Sequence, residues 1–429
     1  MTEKELRDQI AYCMKCGNCM EVCPIYKETL DESSVARGKL SLAEAVLDNK
    51  IELTPRMEQM FNYCLSCKAC AAKCPCGVKA DELIIAARAL AMKKRGVHPI
   101  KKLIFTVLKQ RPIFDFGLRM AGLFGDIPFK KLPGKIAAIQ RFPMPGLDKK
   151  KIMAPMAATP FRSQFPEVVK VANPIKRVAF FTGCMVNYIY TDVGAAVVNV
   201  LKANNIEVVI PKLQHCCGCP VNTYGDEESA KTLGAHNLEI FAEANVDAIV
   251  TACASCGDVW KKEYPHWFHH DAKYEQKAEA LAKKTYDISE FLVDIVPFRK
   301  DNLGEVKMKV TMHDPCHMAR GQKVINQPRE VLKAIPGIEF AEMQDPSRCC
   351  GGGGAFNMLY YDMSRKINDR KCEDIKGTGA ATVATSCGTC RMHITDGLIQ
   401  NDMNQDCVHV VQILNKAYEA GVKAKGQAS

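Results

Sequence analysis

Residues 178–184 read Val-Ala-Phe-Phe-Thr-Gly-Cys, a short apolar run ending in a cysteine, and they open a pattern that the chain contains twice. After this cysteine comes a vicinal cysteine pair followed by glycine, and then a C-x-x-C motif. The members are Cys184, Cys216, Cys217, Cys253 and Cys256 in the first copy, and Cys316, Cys349, Cys350, Cys387 and Cys390 in the second. The intervening gaps are 31 and 35 residues in the first copy and 32 and 36 in the second. This indicates an internal duplication, and each copy gathers five thiols, one more than a tetrahedral zinc site uses.

A short apolar run precedes each cysteine group, as in Ile206-Glu-Val-Val-Ile and Ala381-Thr-Val-Ala-Thr. Strand, cysteine loop and helix, three times per copy, predict βαβ units with parallel strands and right-handed crossovers. The loops at the carboxyl ends of parallel strands share one edge of a sheet, so distant cysteines should converge there. Gly218 and the run Gly351–Gly354 should let the backbone approach a bulky group. We therefore expect two pseudo-symmetric α/β lobes that face each other, each holding iron and sulfide.

The N-terminal part carries a second cysteine pattern, C-x2-C-x2-C-x3-C-P, at residues 13–24 and again at residues 64–75. In this bacterial-ferredoxin arrangement the fourth cysteine ligates the other cluster. A pair of zinc ribbons is the alternative, and it fits the spacing less well. The predicted sets are Cys13, Cys16, Cys19 and Cys74 for one cubane [4Fe–4S] cluster, and Cys64, Cys67, Cys70 and Cys23 for the other.

Helical periodicity surrounds these motifs. Thr54 followed by Pro55 is typical of a helix start. The apolar stripes that predict helices are Leu40, Ala43, Val46 and Leu47 between the motifs, and Leu83, Ala87, Leu90 and Ala91 after them. The sequence therefore predicts an α-helical two-cluster ferredoxin domain that ends near Arg95.

The composition favours metal over disulfides. The chain has 429 residues and 22 cysteines. Its first residues contain no apolar run typical of a secretory signal, and no stretch approaches a membrane span. An intracellular chain with clustered cysteines is expected to bind metal. The expected location is cytoplasmic, with a peripheral position on the cytoplasmic face of the membrane as the alternative.

The positive charge is confined to one segment. Residues 93–151 contain fifteen Lys or Arg and three Asp, whereas the whole chain has a formal charge of +10. This segment is rich in proline, which should prevent long regular elements. Its mixture of basic and apolar residues has two interpretations: a surface for anionic lipid or a protein partner, or a linker that packs on its own neighbours.

These patterns divide the chain into four predicted regions. They are the ferredoxin domain (1–95), the basic connector (96–170), a first cysteine-rich lobe (171–300) and a second cysteine-rich lobe (301–429).

The order of the motifs resembles a known superfamily. The repeated cysteine pattern is similar to that of the heterodisulfide reductase catalytic subunit. A helical ferredoxin domain followed by two such repeats resembles the iron–sulfur subunits of glycolate oxidase, lactate-utilisation dehydrogenases and anaerobic glycerol-3-phosphate dehydrogenase. The resemblance implies that each complete repeat binds a non-cubane [4Fe–4S] cluster through its five cysteines, giving one or two such clusters beside the two cubanes. If one repeat alone is loaded, the glycine run favours the second.

The resemblance implies an electron-transfer subunit of a flavin-dependent lactate or glycolate dehydrogenase complex. An FAD- or FMN-containing subunit would be one partner, and a quinone, an electron-transfer flavoprotein or a ferredoxin the other. The alternatives are a catalytic subunit that reduces a disulfide at a non-cubane cluster, and a membrane-docking subunit of a glycerol-3-phosphate dehydrogenase. No nucleic-acid partner and no catalytic side chain are expected.

Two glycine-rich segments do not match nucleotide-binding motifs, and several residues near the cysteine motifs have supporting or structural roles as their simplest interpretation. The glycine run is not followed by the Gly-Lys-Ser/Thr of a P-loop, which excludes that phosphate-binding motif. The segment Gly377-Thr-Gly379 is similar to the start of a dinucleotide-binding fingerprint, but it precedes a predicted strand, whereas the fingerprint follows one. Four histidines near the cysteine loops should support the ligands by hydrogen bonds: His215, His313, His317 and His409. Arg348 should either adjust the charge of a cluster or remain solvated. The remaining thiols should be structural: Cys76, Cys219, Cys372 and Cys407.

Overall fold

The computed structural model describes residues 1–97, 99–144 and 146–427. Positions 98, 145, 428 and 429, which belong to the predicted connector and second lobe, lie outside the described residues. The N-terminal region is helical, with one 3-10 turn at Glu32–Ser34. Its helices are α1 (Glu3–Ile10), α2 (Asn18–Val22), α3 (Tyr26–Thr29), α4 (Ala36–Leu47), α5 (Pro55–Asn62), α6 (Ala69–Ala72) and α7 (Ala80–Arg95).

Local sequence explains where these helices begin and which faces they bury. The Thr54 side chain accepts a backbone hydrogen bond from Met57 at 3.3 Å, and Pro55 is the first residue of α5. This satisfies one of the free N–H groups of the first turn. The predicted apolar stripes are buried in a common core formed by Leu40, Ala43, Val46, Leu83, Ala87, Leu90 and Ala91.

The basic connector is more regular than its prolines predict. It forms helices of 11 and 13 residues, a two-stranded antiparallel sheet and one further helical turn. Pro99 and Pro112 fall in the first turns of the two helices, where the missing N–H has no intrahelical partner to lose. The expectation of no long element was therefore wrong. The elements are α8 (Pro99–Lys109), α9 (Arg111–Leu123), β1 (Phe129–Lys131), β2 (Ala138–Gln140) and α10 (Phe161–Gln164).

The first lobe is built on a five-stranded sheet in the order β3-β5-β4-β6-β7. All its pairings are parallel except that of β3 with β5. The strands are β3 (Val168–Val169), β4 (Lys176–Phe181), β5 (Ile206–Val209), β6 (Ala248–Thr251) and β7 (Thr285–Asp287). The helices are α11 (Gly183–Tyr188), α12 (Thr191–Ala203), α13 (Cys219–Thr223), α14 (Glu227–Glu243), α15 (Ala254–Asp258), α16 (Tyr264–Trp267), α17 (Glu275–Lys283) and α18 (Ile288–Glu290), with π-helical segments at Val259–Glu263 and Phe291–Ile295.

The second lobe repeats this plan with a four-stranded, wholly parallel sheet in the order β11-β10-β8-β9. A 3-10 turn at Lys300–Asn302 precedes it. The strands are β8 (Met308–Met312), β9 (Ile338–Phe340), β10 (Thr382–Thr385) and β11 (Asp406–His409). The helices are α19 (Asn326–Lys333), α20 (Phe356–Leu359), α21 (Tyr361–Gly377), α22 (Gly388–Gln400) and α23 (Val410–Gln427), and the π-helical segment is His317–Gln322.

The predicted fold class is confirmed: a helical N-terminal region precedes two α/β lobes with parallel strands. The first lobe has two strands beyond the three predicted, β3 and β7, and the second lobe has one, β11. In each sheet the chain moves from the central strand to one side and then to the other. The crevice at that reversal is where open α/β sheets place their ligands.

An apolar core joins the two lobes. Helix α12 of the first lobe packs against α23 of the second. Val197 and Leu201 on α12 lie with Val411 and Leu414 on α23 in one buried cluster. Full burial of such a side chain stabilises the fold by about 1.5–3 kcal/mol. The facing arrangement of the lobes therefore rests on an extensive hydrophobic contact.

Candidate metal centres

The two ferredoxin motifs fold into similar loops. Gly17 (φ +90°) and Lys68 (φ +60°) precede α2 and α6 in the left-handed conformation, and these two short helices pack against each other. Cys13 and Cys16 face Cys19 closely enough to raise its pKa, after the larger effect of burial. Cys74 packs against the same helical core as these residues.

Cys23 lies with the cysteines of the other motif. The pKa of the Cys23 thiol is raised to about 11, mainly by burial and to a smaller extent by the neighbouring Cys67 and Cys64. Cys70 in turn faces Cys64, Cys67 and Cys23. The structure thus brings together the four thiols that we predict to hold one cubane cluster.

Exchange of Cys23 for serine should therefore damage the cluster predicted on Cys64, Cys67 and Cys70, although Cys23 is nearer in sequence to the other motif. The physical reason is the crossed fourth ligand. EPR of the reduced protein, compared with that of a Cys13→Ser variant, would identify the signal lost. Cys76→Ser is the control, because Cys76 is exposed and outside the motif. Loss of only the signal that Cys13→Ser removes would contradict the assignment.

All ten cysteines of the two repeats line one cavity between the lobes. Its volume is about 950 Å³, part of which is open to solvent. Cys184 and Cys253 follow the strands β4 and β6, and Cys316 and Cys387 follow β8 and β10. These strand pairs flank the reversal points of the two sheets. Convergence of the cysteines at this edge was predicted from the βαβ pattern.

The thiols form a continuous series. Each lies close enough to the next for the pair to shift one another's pKa, and the series crosses the lobe interface where Cys253 meets Cys387. It continues into the ferredoxin domain where Cys349 meets Cys67. The order is Cys184, Cys216, Cys217, Cys256, Cys253, Cys387, Cys390, Cys350, Cys349 and Cys67. Cys316 lies beside the series, facing Cys349 and Cys67.

The donor set fits an iron–sulfur group. A hydrogen bond to Cys216, together with burial, raises the pKa of the Cys184 thiol, and burial raises that of Cys316. Hydrogen bonds from Cys349 and Cys390 instead lower the pKa of Cys350. Several buried thiols cannot all ionise without compensating positive charge, and a bound metal ion supplies that charge.

The ferredoxin domain docks on the second lobe at a glycine of the predicted run. Gly353 has φ +51°, and a Cβ there would collide with the side chain of Leu65. Arg320 fixes the same contact, since its guanidinium donates to the carbonyl of Cys67 at 3.2 Å and to that of Ser347 at 2.7 Å. Glycine is required here because the backbone of the second lobe approaches the loop that carries Cys67.

Two buried cations adjoin the predicted set Cys64, Cys67, Cys70 and Cys23. Lys39 is buried beside Cys64 and Cys23, and its ammonium donates to the carbonyl of Ser34. Arg88 donates to the carbonyls of Phe61 (2.8 Å) and Cys64 (2.7 Å). Within the described residues neither forms an ion pair with a carboxylate. Their charge can therefore offset that of the thiolates. Neither could be identified from the sequence, because each lies in a segment whose helical periodicity is ordinary.

The predicted supporting residues have different roles. His317 Nδ1 lies 3.4 Å from Cys316 Sγ. His409 bridges the lobes, because its Nε2 donates to the carbonyl of Ala252 at 3.2 Å while Nδ1 accepts from a backbone N–H. The ring of His215 packs on His236 instead.

Arg348 and His313, the other two predicted supporting residues, have different surroundings. Arg348 pairs with Asp374 at 3.1 Å and with Asp345 at 3.4 Å. Carboxylates therefore hold Arg348, and it lines a cleft together with Cys67 and Cys349. An influence on the charge of a cluster stays a prediction. Burial lowers the pKa of His313 to about 3, so its imidazole is neutral.

The remaining cysteines lie at four separate places. Cys76 is exposed, and Cys372 and Cys407 are buried. Cys219 lines the cavity of the ten cysteines, and its sulfur is 3.9 Å from Thr223 Oγ1. The second repeat has Gly352 at the equivalent position, so Cys219 has no counterpart there. A structural role for these four thiols stays a prediction.

Protein isolated without oxygen should carry about sixteen iron atoms per chain if all four predicted clusters are present. Zinc should be negligible. Metal analysis by mass spectrometry checks this, with the Cys76→Ser variant as a control that should retain its full iron content. Stoichiometric zinc with fewer than about eight iron atoms would contradict four clusters.

Comparison with known proteins identifies the families that these regions resemble. The cysteine-rich CCG domain family matches residues 178–259 and 310–395, and the 4Fe–4S dicluster domain family matches residues 9–78. The probable glycolate oxidase iron–sulfur subunit of Bacillus subtilis (strain 168) is 28% identical over 438 residues, which covers 97% of this chain and 98% of that protein. Lactate utilization protein A of the same organism is 33% identical over 240 residues, covering 56% of this chain and 99% of that protein.

A solved structure supports the fold alone. The crystal structure of a hypothetical protein from Helicobacter pylori superposes with a TM-score of 0.52 at 10% identity, covering 97% of this chain and 77% of that one. Together, the cysteine motifs, the two facing lobes and the sequence relatives place this chain in the family of iron–sulfur proteins that includes the glycolate oxidase iron–sulfur subunit and lactate utilization protein A.

Proposed function

We propose that this chain is the electron-transfer subunit of a flavin-dependent 2-hydroxy-acid dehydrogenase complex, with lactate or glycolate as substrate. It would relay electrons between a partner flavoprotein and a second carrier, which is a quinone, an electron-transfer flavoprotein or a ferredoxin. The observation that carries this proposal is the continuous series of thiols from Cys67 to Cys184. The naming of one relative as an iron–sulfur subunit supports it.

Bound iron–sulfur clusters supply one-electron transfer. The chain's own residues hold the sulfur ligands close together, exclude water from them and surround them with fixed charge. Burial of the cysteines at the lobe interface performs the first two tasks, and Lys39 and Arg88 contribute to the third. Substrate oxidation by hydride transfer requires an organic cofactor, which we assign to the flavoprotein partner.

The proposed relay has one end in the first ferredoxin motif and the other at Cys184. Cys16, in the first ferredoxin motif, is exposed. At the other end, Cys184 borders a small cleft that Arg111 and Asp115 of α9 also line. A relay requires one place to receive electrons and another to release them. The separation of these ends, one on the ferredoxin domain and one beside the connector, supports a relay.

Reconstitution tests the proposal. The isolated chain should be inert towards lactate and glycolate. Added to the flavoprotein, it should accelerate reduction of an external acceptor, with a rate that saturates at a fixed ratio of the two proteins. Oxidation of either acid by the chain alone, or no acceleration with any 2-hydroxy-acid flavoprotein of the native host, would contradict the proposal.

A second candidate, reduction of a disulfide, is favoured by the cavity between the lobes. Cys253 of one C-x-x-C motif contacts Cys387 of the other, so both predicted non-cubane sites face the same space. This arrangement suits a substrate that breaks into two thiols. Here the chain alone, supplied with a low-potential electron donor, would reduce a mixed thiol disulfide. Turnover of this kind would replace the first proposal by the second.

The basic connector is proposed as the contact with an anionic membrane surface, which is also the feature expected of a membrane-docking subunit of the glycerol-3-phosphate dehydrogenase type. Helix α8 packs Phe105 into the first lobe's core, so the linker interpretation holds for one face. Large apolar side chains elsewhere in the connector are at least half exposed: Leu103, Ile104, Ile113, Phe116, Leu123, Phe124, Ile127 and Phe142. No helix in the described ranges has both the length and the apolar character to cross a bilayer.

Neutralising Lys102, Lys130 and Lys131 to glutamine should weaken co-sedimentation with vesicles that contain anionic phospholipid. All three are exposed, and each lysine near an anionic surface contributes about 1 kcal/mol. Raised salt should release the unaltered chain, because the Debye length is about 8 Å at physiological ionic strength. Lys79 and Lys307, exposed lysines outside the connector, provide the control. Binding unaffected by charge or salt would show a solvated face, and loss of flavoprotein binding instead would indicate a protein contact.

A further inference from the structure

His313 stands at the reversal point of the second sheet. It is the first residue after β8, and its backbone N–H donates to the carbonyl of Ala384 on β10 at 2.9 Å. This fixes the residue between the two central strands, at the edge where the cysteines gather. The side chain is 1% exposed.

Neither ring nitrogen of His313 has a hydrogen-bond partner among the described residues. A buried polar group left unsatisfied costs about 1–3 kcal/mol. His409, a buried histidine at the end of β11, has both of its nitrogens engaged by backbone groups. The imidazole of His313 is therefore directed at something other than the protein.

The surroundings of His313 identify the missing partner. One of its ring nitrogens and the sulfurs of Cys350 and Cys390 all lie within 4.8 Å of one another. Metal–sulfur and metal–imidazole bonds are about 2.3 and 2.1 Å long, so two ligands of one ion cannot be much farther apart than this. An imidazole nitrogen with a free lone pair is a common metal ligand.

The first repeat provides an internal comparison. Three residues before Cys184 it has Phe181, where the second repeat has His313 three residues before Cys316. Phe181 packs its ring on Phe241 and Trp260, with centroids 5.6 and 5.4 Å away. An apolar residue thus suffices for the fold at this position, and the imidazole is a feature of the second lobe alone.

We propose that a ring nitrogen of His313 is an iron ligand in the second repeat, acting beside Cys350 and Cys390, so that the two repeats hold chemically different sites. This rests on the proposed function only in requiring an iron–sulfur group in the second repeat. Histidine ligation raises the reduction potential of iron–sulfur centres relative to ligation by thiolates alone. The second site would then accept electrons more readily than an all-thiolate site of the same type.

Isotope-edited pulsed EPR of the anaerobically isolated, full-length chain tests the ligand directly. Protein labelled with [15N]histidine should show a strong nitrogen hyperfine coupling that changes with the isotope. The coupling should disappear in His313→Phe, which copies the first repeat, and persist in His409→Asn. Phe at this position is tolerated in the homologous lobe, and a His313→Cys variant, which keeps a ligand, offers a second route if the first does not fold.

A coupling that is absent from the unaltered chain, weak enough to indicate only a hydrogen bond, or retained in His313→Phe would overturn the proposal. Iron analysis separates this result from failure of the proposed function. If His313 is not a ligand, the iron content and electron delivery remain as expected and only the nitrogen coupling is missing. If the second repeat holds no iron–sulfur group, Cys387→Ala should leave the iron content unchanged.

Discussion

Replacement of Cys387 by alanine should reduce electron delivery from the flavoprotein to the rate observed without this chain. Cys387 lies at the junction of the two lobes, in contact with both Cys253 and Cys390. Its loss removes a predicted ligand and interrupts the thiol series at its centre. Cys316→Ala should have the same effect, because Cys316 is a predicted ligand of the same site. Stopped-flow measurement of acceptor reduction in the reconstituted complex provides the test.

The flavin itself should remain reducible by substrate in these variants, since the hydride step belongs to the other subunit. Cys76→Ser, in an exposed cysteine outside the series, should retain the full rate. Undiminished electron delivery in Cys387→Ala would show that electrons do not pass through the second lobe. The disulfide-reductase alternative predicts that the same substitutions abolish disulfide turnover by the chain alone.

Substitution of Lys151 by methionine should destabilise the protein by about 3–5 kcal/mol, the usual cost of breaking a buried ion pair on one side. The ammonium of Lys151 lies 2.7 Å from Asp396 Oδ2 and donates to His393 Nδ1 at 3.1 Å. Both partners of the ion pair are fully buried. Without Lys151, the Asp396 carboxylate would keep the hydrogen bonds from Ile152 and Tyr361 and the contact with His393 Nδ1 at 3.6 Å, but would lose its lysine counter-ion.

This network also supports the second repeat. His393 Nε2 is 2.8 Å from Ser364 Oγ, and Ser364 donates to the carbonyl of Gly351 at 2.7 Å. The effect should appear as a lower midpoint in thermal unfolding under anaerobic conditions. Lys150→Met is the matched control, because Lys150 is exposed and surface substitutions usually change stability by no more than about 0.5 kcal/mol. Equal midpoints for the two variants would contradict the structural role of the pair.

The burial or exposure of individual lysines in the basic segment could not be predicted from the sequence. From composition, all fifteen basic residues between positions 93 and 151 belong to one basic segment. In the structure Lys151 is buried against Asp396, 245 positions later, whereas Lys102, Lys130 and Lys131 are exposed. Only the folded chain decides which lysines face solvent, because burial depends on a partner that is remote in sequence.

The different surroundings of two histidines also could not be predicted from the sequence. His313 directly follows β8, which leads into a cysteine loop, whereas His409 is the last residue of β11. From the sequence, both have the same expected role. The backbone of the opposite lobe satisfies His409, while the nitrogens of His313 have no such partner in the described part of the chain. Their difference arises from how the two lobes pack, which periodicity does not encode.

The sequence by itself determined the candidate ligands, the helical ferredoxin domain and the parallel sheets. Metal ligation needs thiols at short fixed spacings, and an apolar period of two or about 3.6 reflects local backbone geometry, so both are readable along the chain. Tertiary structure alone decided that Cys67 meets Cys349, that Arg320 holds this contact and that Cys253 meets Cys387. These contacts join segments more than a hundred residues apart, and their register is set by the packing of whole domains rather than by any local pattern.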